Sequence, residues 1–305
     1  MCKLINNYLW FGGLQVQYKY FYSYFNLSMV AFSLWGWPIY RYGIMYLLSF
    51  VLGYLFLYRI SKLSILDKFP NLQNLLKNNL DDLIVAIVLG VMIGGRLGDV
   101  IFYNRAYYSQ NLVDILKIRN GGMSFVWGFI GVAIAIWTIK KRYKLTANEI
   151  WYLFDFIVLF LPLGILFGRI GNALNQELYG KVIDLSTKIG GMDFETLYKL
   201  KIIRVFESVD NQFRRNTNFL EGLWEGLILF IVQALLFWKK LWKGKIWRPW
   251  FVSGLFCILY GFIRIVLETL RDNPPAEYRN WILKSQILMV AMIILGKFLI
   301  MRKSK

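Results

Sequence analysis

The chain contains no histidine. That absence excludes a histidine–metal centre, a serine–histidine dyad and a histidine general base supplied by this chain. Its two cysteines, Cys2 and Cys257, stand at the start of the chain and inside an apolar run, so neither a disulfide framework nor a thiolate metal site is expected. No metal and no cofactor is expected. A Walker loop is absent too, because the Gly-rich stretch Gly121 to Gly131 lacks Gly-Lys-Ser/Thr. The N-terminus has no basic segment followed by a long apolar one, so no cleavable signal peptide is expected and the first membrane segment is expected to target the protein. Internal repeats and low-complexity linkers are lacking. Acidic residues are few, Asp+Glu 18 against Lys+Arg 36, a net charge of +18.

Apolar residues are abundant, 57% of 305 residues, which points to a polytopic membrane protein. The basic residues cluster in short loops between apolar runs. They therefore read as topology signals and contacts for anionic membrane lipid, and no nucleic-acid partner is expected. A membrane helix needs about 20 apolar residues. Seven segments qualify, near 42–60, 82–103, 123–139, 150–170, 219–238, 250–269 and 281–301. Residues 1–27 are rich in aromatics and read as an interfacial segment. Connections one, three and five carry Lys62 and Lys68, Lys140 to Lys144, and Lys239 to Arg248; the fourth is basic too but long, and long loops count less as topology signals. The expectation is an all-α, multi-pass single domain over 1–305, with the N-terminus outside and the C-terminus cytoplasmic. The long fourth connection, 171–218, becomes a small extracytoplasmic insertion between helices 4 and 5.

Charged residues inside apolar runs are costly and usually paired or functional. The most informative stretch is Gly168-Arg169-Ile170-Gly171-Asn172-Ala173-Leu174-Asn175-Gln176-Glu177-Leu178-Tyr179-Gly180, which closes the fourth apolar run. Arg169 there is either a snorkelling helix end or a site residue. Gly90 to Gly98 places four glycines and Arg96 in the second segment: either close helix packing, or room for a lipid chain with Arg96 on a phosphate. Asp155 lies in the fourth segment, about four turns before Arg169. Glu221 and Glu225 share one helix face, and either one is held neutral or both meet water. Tyr260, Arg264 and Glu268 form a stripe at i, i+4, i+8, which reads as a buried ion pair or as one wall of a polar cavity. Arginine forks match phosphate, so Arg96, Arg169 and Arg264 together suit an anionic phospholipid headgroup.

These residues resemble the prolipoprotein diacylglyceryl transferase family. Its signature reads roughly Gly-Arg-Ile-Gly-Asn-Phe-Ile-Asn-Gly-Glu-Leu-Tyr-Gly; this chain departs from it at Ala173, Leu174 and Gln176. Tyr42 to Tyr46, Gly95 to Gly98 with Tyr103 and Asn104, Gly121 to Phe125, Asp155 with Pro162 to Gly164, the Tyr260–Arg264–Glu268 stripe and Ser285-Gln286 match further motifs in order, over residues 28–300. The resemblance implies transfer of the diacylglyceryl group of phosphatidylglycerol to the lipobox cysteine thiol of prolipoprotein signal peptides, in the bacterial cytoplasmic (inner) membrane. It implies that Tyr42, Tyr260, Arg264 and Glu268 line the reaction cavity. Phosphatidylglycerol is then bound by Arg169, Asn172, Glu177, Gly180 and Arg96.

Two departures bear on the chemistry. Val126 and Trp127 stand where the family has a histidine and a glycine. The family's His-Pro-Ser-Gln-Leu-Tyr-Glu element corresponds to Arg215 to Glu221, in which the glutamate survives. With no histidine to take the thiol proton, Glu268 is one candidate acceptor. The competing readings are a phospholipid- or lipoprotein-binding relative without turnover, and a transporter. The transporter lacks support because no pair of matched broken helices is present.

Overall fold

The computed structural model describes residues 4–5, 8–11, 14–17, 30–35, 37–117, 122–184, 186, 188–206, 210, 212–271 and 278–302. Cys2, Gly121 and the aromatic residues at 18 and 20–25 lie outside them, as do the side chains of Tyr103, Phe125, Val126 and Ser285. Helices dominate: α1 Arg41–Ser61, α2 Pro70–Asn78, α3 Leu80–Gly98, α4 Arg105–Gln110, α5 Phe125–Arg142, α6 Ala147–Leu174, α7 Phe194–Lys199, α8 Thr217–Leu241, α9 Phe251–Glu268 and α10 Tyr278–Met301. Each expected membrane segment coincides with one long helix. Five, namely α1, α3 with its extension to Phe102, α6, α8 and α9, are long and apolar enough to cross a membrane. The chain is therefore a polytopic membrane protein. Helix α5 ends in three cations, Lys140, Lys141 and Arg142, and the apolar part of α10 found among the described residues is Gln286–Met301.

The expectation of an all-α chain needs one correction. Small antiparallel sheets occupy stretches outside the long helices, where the backbone is free to pair with a neighbouring strand. They are β1–β2–β3 (Leu4–Ile5, Tyr8–Phe11, Leu14–Gln17), β4–β5 (Val30–Leu34, Trp37–Tyr40) and β6–β7 (Ile203–Val205, Phe213–Arg215).

Chain contacts divide the molecule into two compact units. The second comprises residues 52–157 and 244–249. In it, α3 and α5 cross where glycines face each other. A Cβ on Gly90 would sit 2.7 Å from the Gly131 carbonyl oxygen, so the backbones touch directly. The start of α6 is fixed by a capping box: Glu149 N–H donates to Thr146 Oγ1 at 3.3 Å, and Thr146 N–H donates to Glu149 Oε2 at 2.8 Å. The other carboxylate oxygen of Glu149 accepts the Asn71 and Leu72 amides of α2, at 2.9 and 3.0 Å. One buried carboxylate thus terminates two helices.

The first unit comprises residues 1–51, 158–243 and 250–305. Its helices α9 and α10 approach through Gly254 and Gly296; a Cβ on Gly254 would lie 2.8 Å from the Gly296 carbonyl oxygen. Between α6 and α8 the chain folds into a small lobe with its own apolar core of Ile183, Leu197, Ile203, Val205 and Phe213. The first turns of α8 contain a π-helical stretch, Gly222–Ile228.

Candidate functional site

The signature stretch begins as the last turns of α6 and leaves them as a tight loop in the first unit. The Asn175 and Glu177 amides return to the Gly171 and Asn172 carbonyls, each at 3.0 Å. The turn puts Gln176 and Leu178 in the left-handed region, with φ of 55° and 53°. The exposed Glu177 carboxylate accepts Asn172 Nδ2 at 3.2 Å and Asn175 Nδ2 at 3.0 Å. The Tyr42 ring lies directly against Gly171, and its hydroxyl is 2.9 Å from that of Tyr46.

The lobe holds this loop from the other side. Gly180 N–H donates to the Arg215 carbonyl at 3.0 Å, and a Cβ on Gly180 would stand 2.6 Å from Arg215 Cβ. Asn218 Nδ2 donates to the Glu177 carbonyl at 2.7 Å, and Thr217 Oγ1 donates to that of Leu178. Arg204 Nη1 donates to the Ala173 carbonyl at 2.8 Å, placing a cation at the negative end of α6.

Arg169, in the last turns of α6, points into a buried ionic cage shared with α8 and α9. Arg169 Nη1 is 3.0 Å from Glu221 Oε2, and Nη2 is 3.3 Å from Glu225 Oε2. Arg264 Nη1 reaches Glu221 Oε1 at 3.2 Å and Glu225 Oε1 at 3.1 Å, while its Nη2 reaches Glu268 Oε2 at 2.6 Å. Arg271 closes the cage on Glu221, with Nε to Oε1 at 2.7 Å and Nη2 to Oε2 at 2.9 Å. Glu221 and Glu225 are fully buried, both at 0% exposure. Three guanidiniums face three carboxylates, so the cage is neutral as it stands. Tyr260 sits one turn before Arg264 and stacks on Phe256 with ring centroids 5.2 Å apart.

The structure thus brings together Arg169, Arg264 and Glu268 in one cage, and Tyr42, Asn172, Glu177 and Gly180 on the loop that continues from it. Glu221, Glu225 and Arg271 complete the cage. Their sequence signal is the four-residue spacing of the two glutamates and the continuation of the Arg264–Glu268 stripe to Arg271. Arg96 belongs to the second unit. Its guanidinium donates to the carbonyls of Ile115 at 2.8 Å, Gly122 at 3.0 Å, Lys117 at 3.3 Å and Asp114. There it ties down the loop that follows α4. Asp155 is likewise buried in the second unit.

The family model for prolipoprotein diacylglyceryl transferase matches residues 29–302. The chain belongs to this family. It is 32% identical over 281 residues to the phosphatidylglycerol–prolipoprotein diacylglyceryl transferase of Rickettsia bellii, covering 91% of this chain and 95% of that protein. It is 34% identical to the Wolbachia pipientis transferase, over 89% of this chain and 93% of the relative. It is 36% identical to that of Psychrobacter arcticus, over 88% and 90% respectively. At the start of α5, Trp127 stacks on Phe102 with centroids 4.2 Å apart and planes 11° apart.

Proposed function

We propose that the cage of α6, α8 and α9 is where this enzyme holds phosphatidylglycerol while its diacylglyceryl group passes to the cysteine thiol of a prolipoprotein. The enzyme is a phosphatidylglycerol–prolipoprotein diacylglyceryl transferase. The thiolate attacks the glycerol carbon, the C–S bond forms, and the C–O bond to phosphate breaks to release glycerol phosphate. Developing negative charge on the phosphate is neutralised by preorganised donors. The observation that carries this assignment is the convergence of two guanidiniums from different helices, Arg169 and Arg264, on the single carboxylate of Glu225. Each guanidinium gives that carboxylate one nitrogen, so two cations from different helices already stand within reach of one anion, as a phosphodiester needs.

In this reading Tyr42, Tyr260 and Glu268 line the reaction cavity. Asn172, Glu177 and Gly180 shape the loop over the phosphate, and Arg96 steadies the polar loop after α4. The seven long helices are seven spans. Residues 171–218 form an extracytoplasmic insertion, with the N-terminus outside and the C-terminus cytoplasmic, in the bacterial inner membrane. The protein partner is a signal peptide with a lipobox cysteine.

Mass spectrometry of a lipobox peptide incubated with the purified protein and phosphatidylglycerol tests the assignment. A diacylglyceryl mass gain is expected with the native chain and none with Arg169→Ala. A second reading, phospholipid binding without turnover, is motivated by Val126 at the histidine position. It predicts phosphatidylglycerol retention with no mass gain, under conditions in which a histidine-bearing relative is active.

A further inference from the structure

Glu221 and Glu225 lie one turn apart and look equivalent in sequence, but the cage treats them differently. Glu221 is held by three arginines. One of them, Arg271, grips both carboxylate oxygens and makes no ion pair with Glu225. Glu225 has one oxygen on Arg169 at 3.3 Å and the other on Arg264 at 3.1 Å; among the described residues these are its two ion-pair partners. The cage is neutral when no substrate is present, with three guanidiniums against three carboxylates. A phosphodiester entering it adds one negative charge and competes for Arg169 and Arg264.

Glu221 keeps its Arg271 fork when that happens. Glu225 does not, and is left as a fully buried carboxylate with its counter-charges taken. A buried carboxylate stripped of its cations gains affinity for a proton.

We propose that Glu225 is the general base of this histidine-free enzyme, switched on by the substrate's own phosphate. This rests on the assignment of Arg169 and Arg264 to phosphate binding. The attacking cysteine gives its S–H proton to the Glu225 carboxylate as the S–C bond to the glycerol carbon forms. The C–O electron pair leaves with the phosphate, whose charge goes from one negative to two. Proton arrival on Glu225 offsets that increase, so the charge of the cage with its contents stays constant through the step. The proton then passes from Glu225 to a phosphate oxygen, glycerol phosphate departs as a monoanion, and Glu225 returns to its two arginines. No oxidant or further reactant is required.

The test compares two nucleophiles. One lipobox peptide carries cysteine; the other carries selenocysteine, whose selenol is already ionised at neutral pH and needs no base. Glu225→Gln is expected to lower transfer to the thiol roughly 10²–10⁴-fold, the span typical of general base catalysis. Transfer to the selenol should fall less than tenfold. Glu225→Asp, which keeps a carboxylate, should leave the selenol-to-thiol ratio within about threefold of the native value. Equal loss on both nucleophiles, or an unchanged ratio in Glu225→Gln, overturns the proposal. Should Glu225→Gln not fold, the native enzyme decides: an acid limb in the thiol pH–rate profile that is missing for the selenol supports the proposal, and a limb shared by both refutes it. No adduct from the native chain with either peptide sinks the transferase assignment itself, a result distinct from any of these.

Discussion

Arg271 grips Glu221 with two parallel donors, Nε to Oε1 at 2.7 Å and Nη2 to Oε2 at 2.9 Å. The fork leaves Arg169 and Arg264 as the two cage cations that also engage Glu225. Replacing it with a neutral side chain makes Glu221 depend on the arginines the phosphate needs. Arg271→Gln is therefore expected to weaken phosphatidylglycerol binding about tenfold, equivalent to about 1.4 kcal/mol. Adding Glu221→Gln should recover much of the loss. Binding isotherms in lipid nanodiscs check both, and an Arg271→Gln protein with native affinity would refute the competition argument.

Arg169→Lys and Arg264→Lys keep the charge and lose the planar fork. Removing one preorganised donor at a developing charge typically costs about 10²–10³-fold in turnover. Losses of that size are expected for each, with a smaller change in apparent substrate affinity. Steady-state kinetics on a lipobox peptide separate the two effects. A loss confined to affinity would place these arginines in ground-state binding alone.

Gln176 has φ of 55°, where a side chain with a Cβ is strained. Gln176→Gly relieves the strain and gives back part of the gain through a more flexible unfolded chain. A net stabilisation of about 0.5–1 kcal/mol is expected, read as a higher midpoint of thermal unfolding in detergent. An unchanged or lower midpoint contradicts it.

Gly180→Ala acts in the opposite direction. The added methyl would meet Arg215 Cβ at 2.6 Å and the Arg215 carbonyl at 2.7 Å. Overpacking of this kind costs about 1–3 kcal/mol. Here it pushes the lobe off the signature loop. Faster proteolysis between residues 181 and 216 is the expected result, and native resistance would count against the packing argument.

The lobe also has a pH dependence. Arg214 donates to Asp210, with Nη2 to Oδ2 at 2.5 Å, and this bond holds the Asp210 carboxyl below the usual carboxylate range. A depressed folded-state pKa stabilises the fold above the unfolded pKa of about 3.9, and the contribution is lost as pH falls through the lower folded value. Asp210→Asn should therefore destabilise the β6–β7 hairpin at pH 7 and cease to differ from the native chain at the acid end. Hydrogen exchange of the Ile203–Val205 and Phe213–Arg215 amides, corrected for intrinsic rates, reads this directly. A difference independent of pH would assign the effect to packing.

Much of the site was legible because charge is conspicuous in an apolar chain. Arg169, Arg264 and Glu268 stand out in runs of leucine, isoleucine and phenylalanine, and the structure joins them. Arg96 was equally conspicuous. Its role as a clamp on four backbone carbonyls was not readable, since carbonyl partners leave no trace in side-chain pattern. The same limit hid Asn218, Thr217 and Arg204, which hold the loop through its backbone. The long helices followed from hydropathy alone. The short strands did not, because strands such as β6 and β7 have three residues each, too few for a periodic signal.

The π-helical stretch Gly222–Ile228 sets the angular phase of everything after it in α8. A wider turn accommodates one residue more than an α-helix would, which rotates the following residues by about 100° relative to a regular helix. Leu229, Gln233 and Phe237 are buried under that rotation. Deleting one residue in the stretch would tighten the turn, swing those three side chains off their packed face, and leave Glu221 in place at the helix start. Helix α8 thus behaves as two joined segments, a short one that ends on Glu221 and a long one that buries Leu229, Gln233 and Phe237, and the stretch between them, which carries Glu225, lets each take its own orientation.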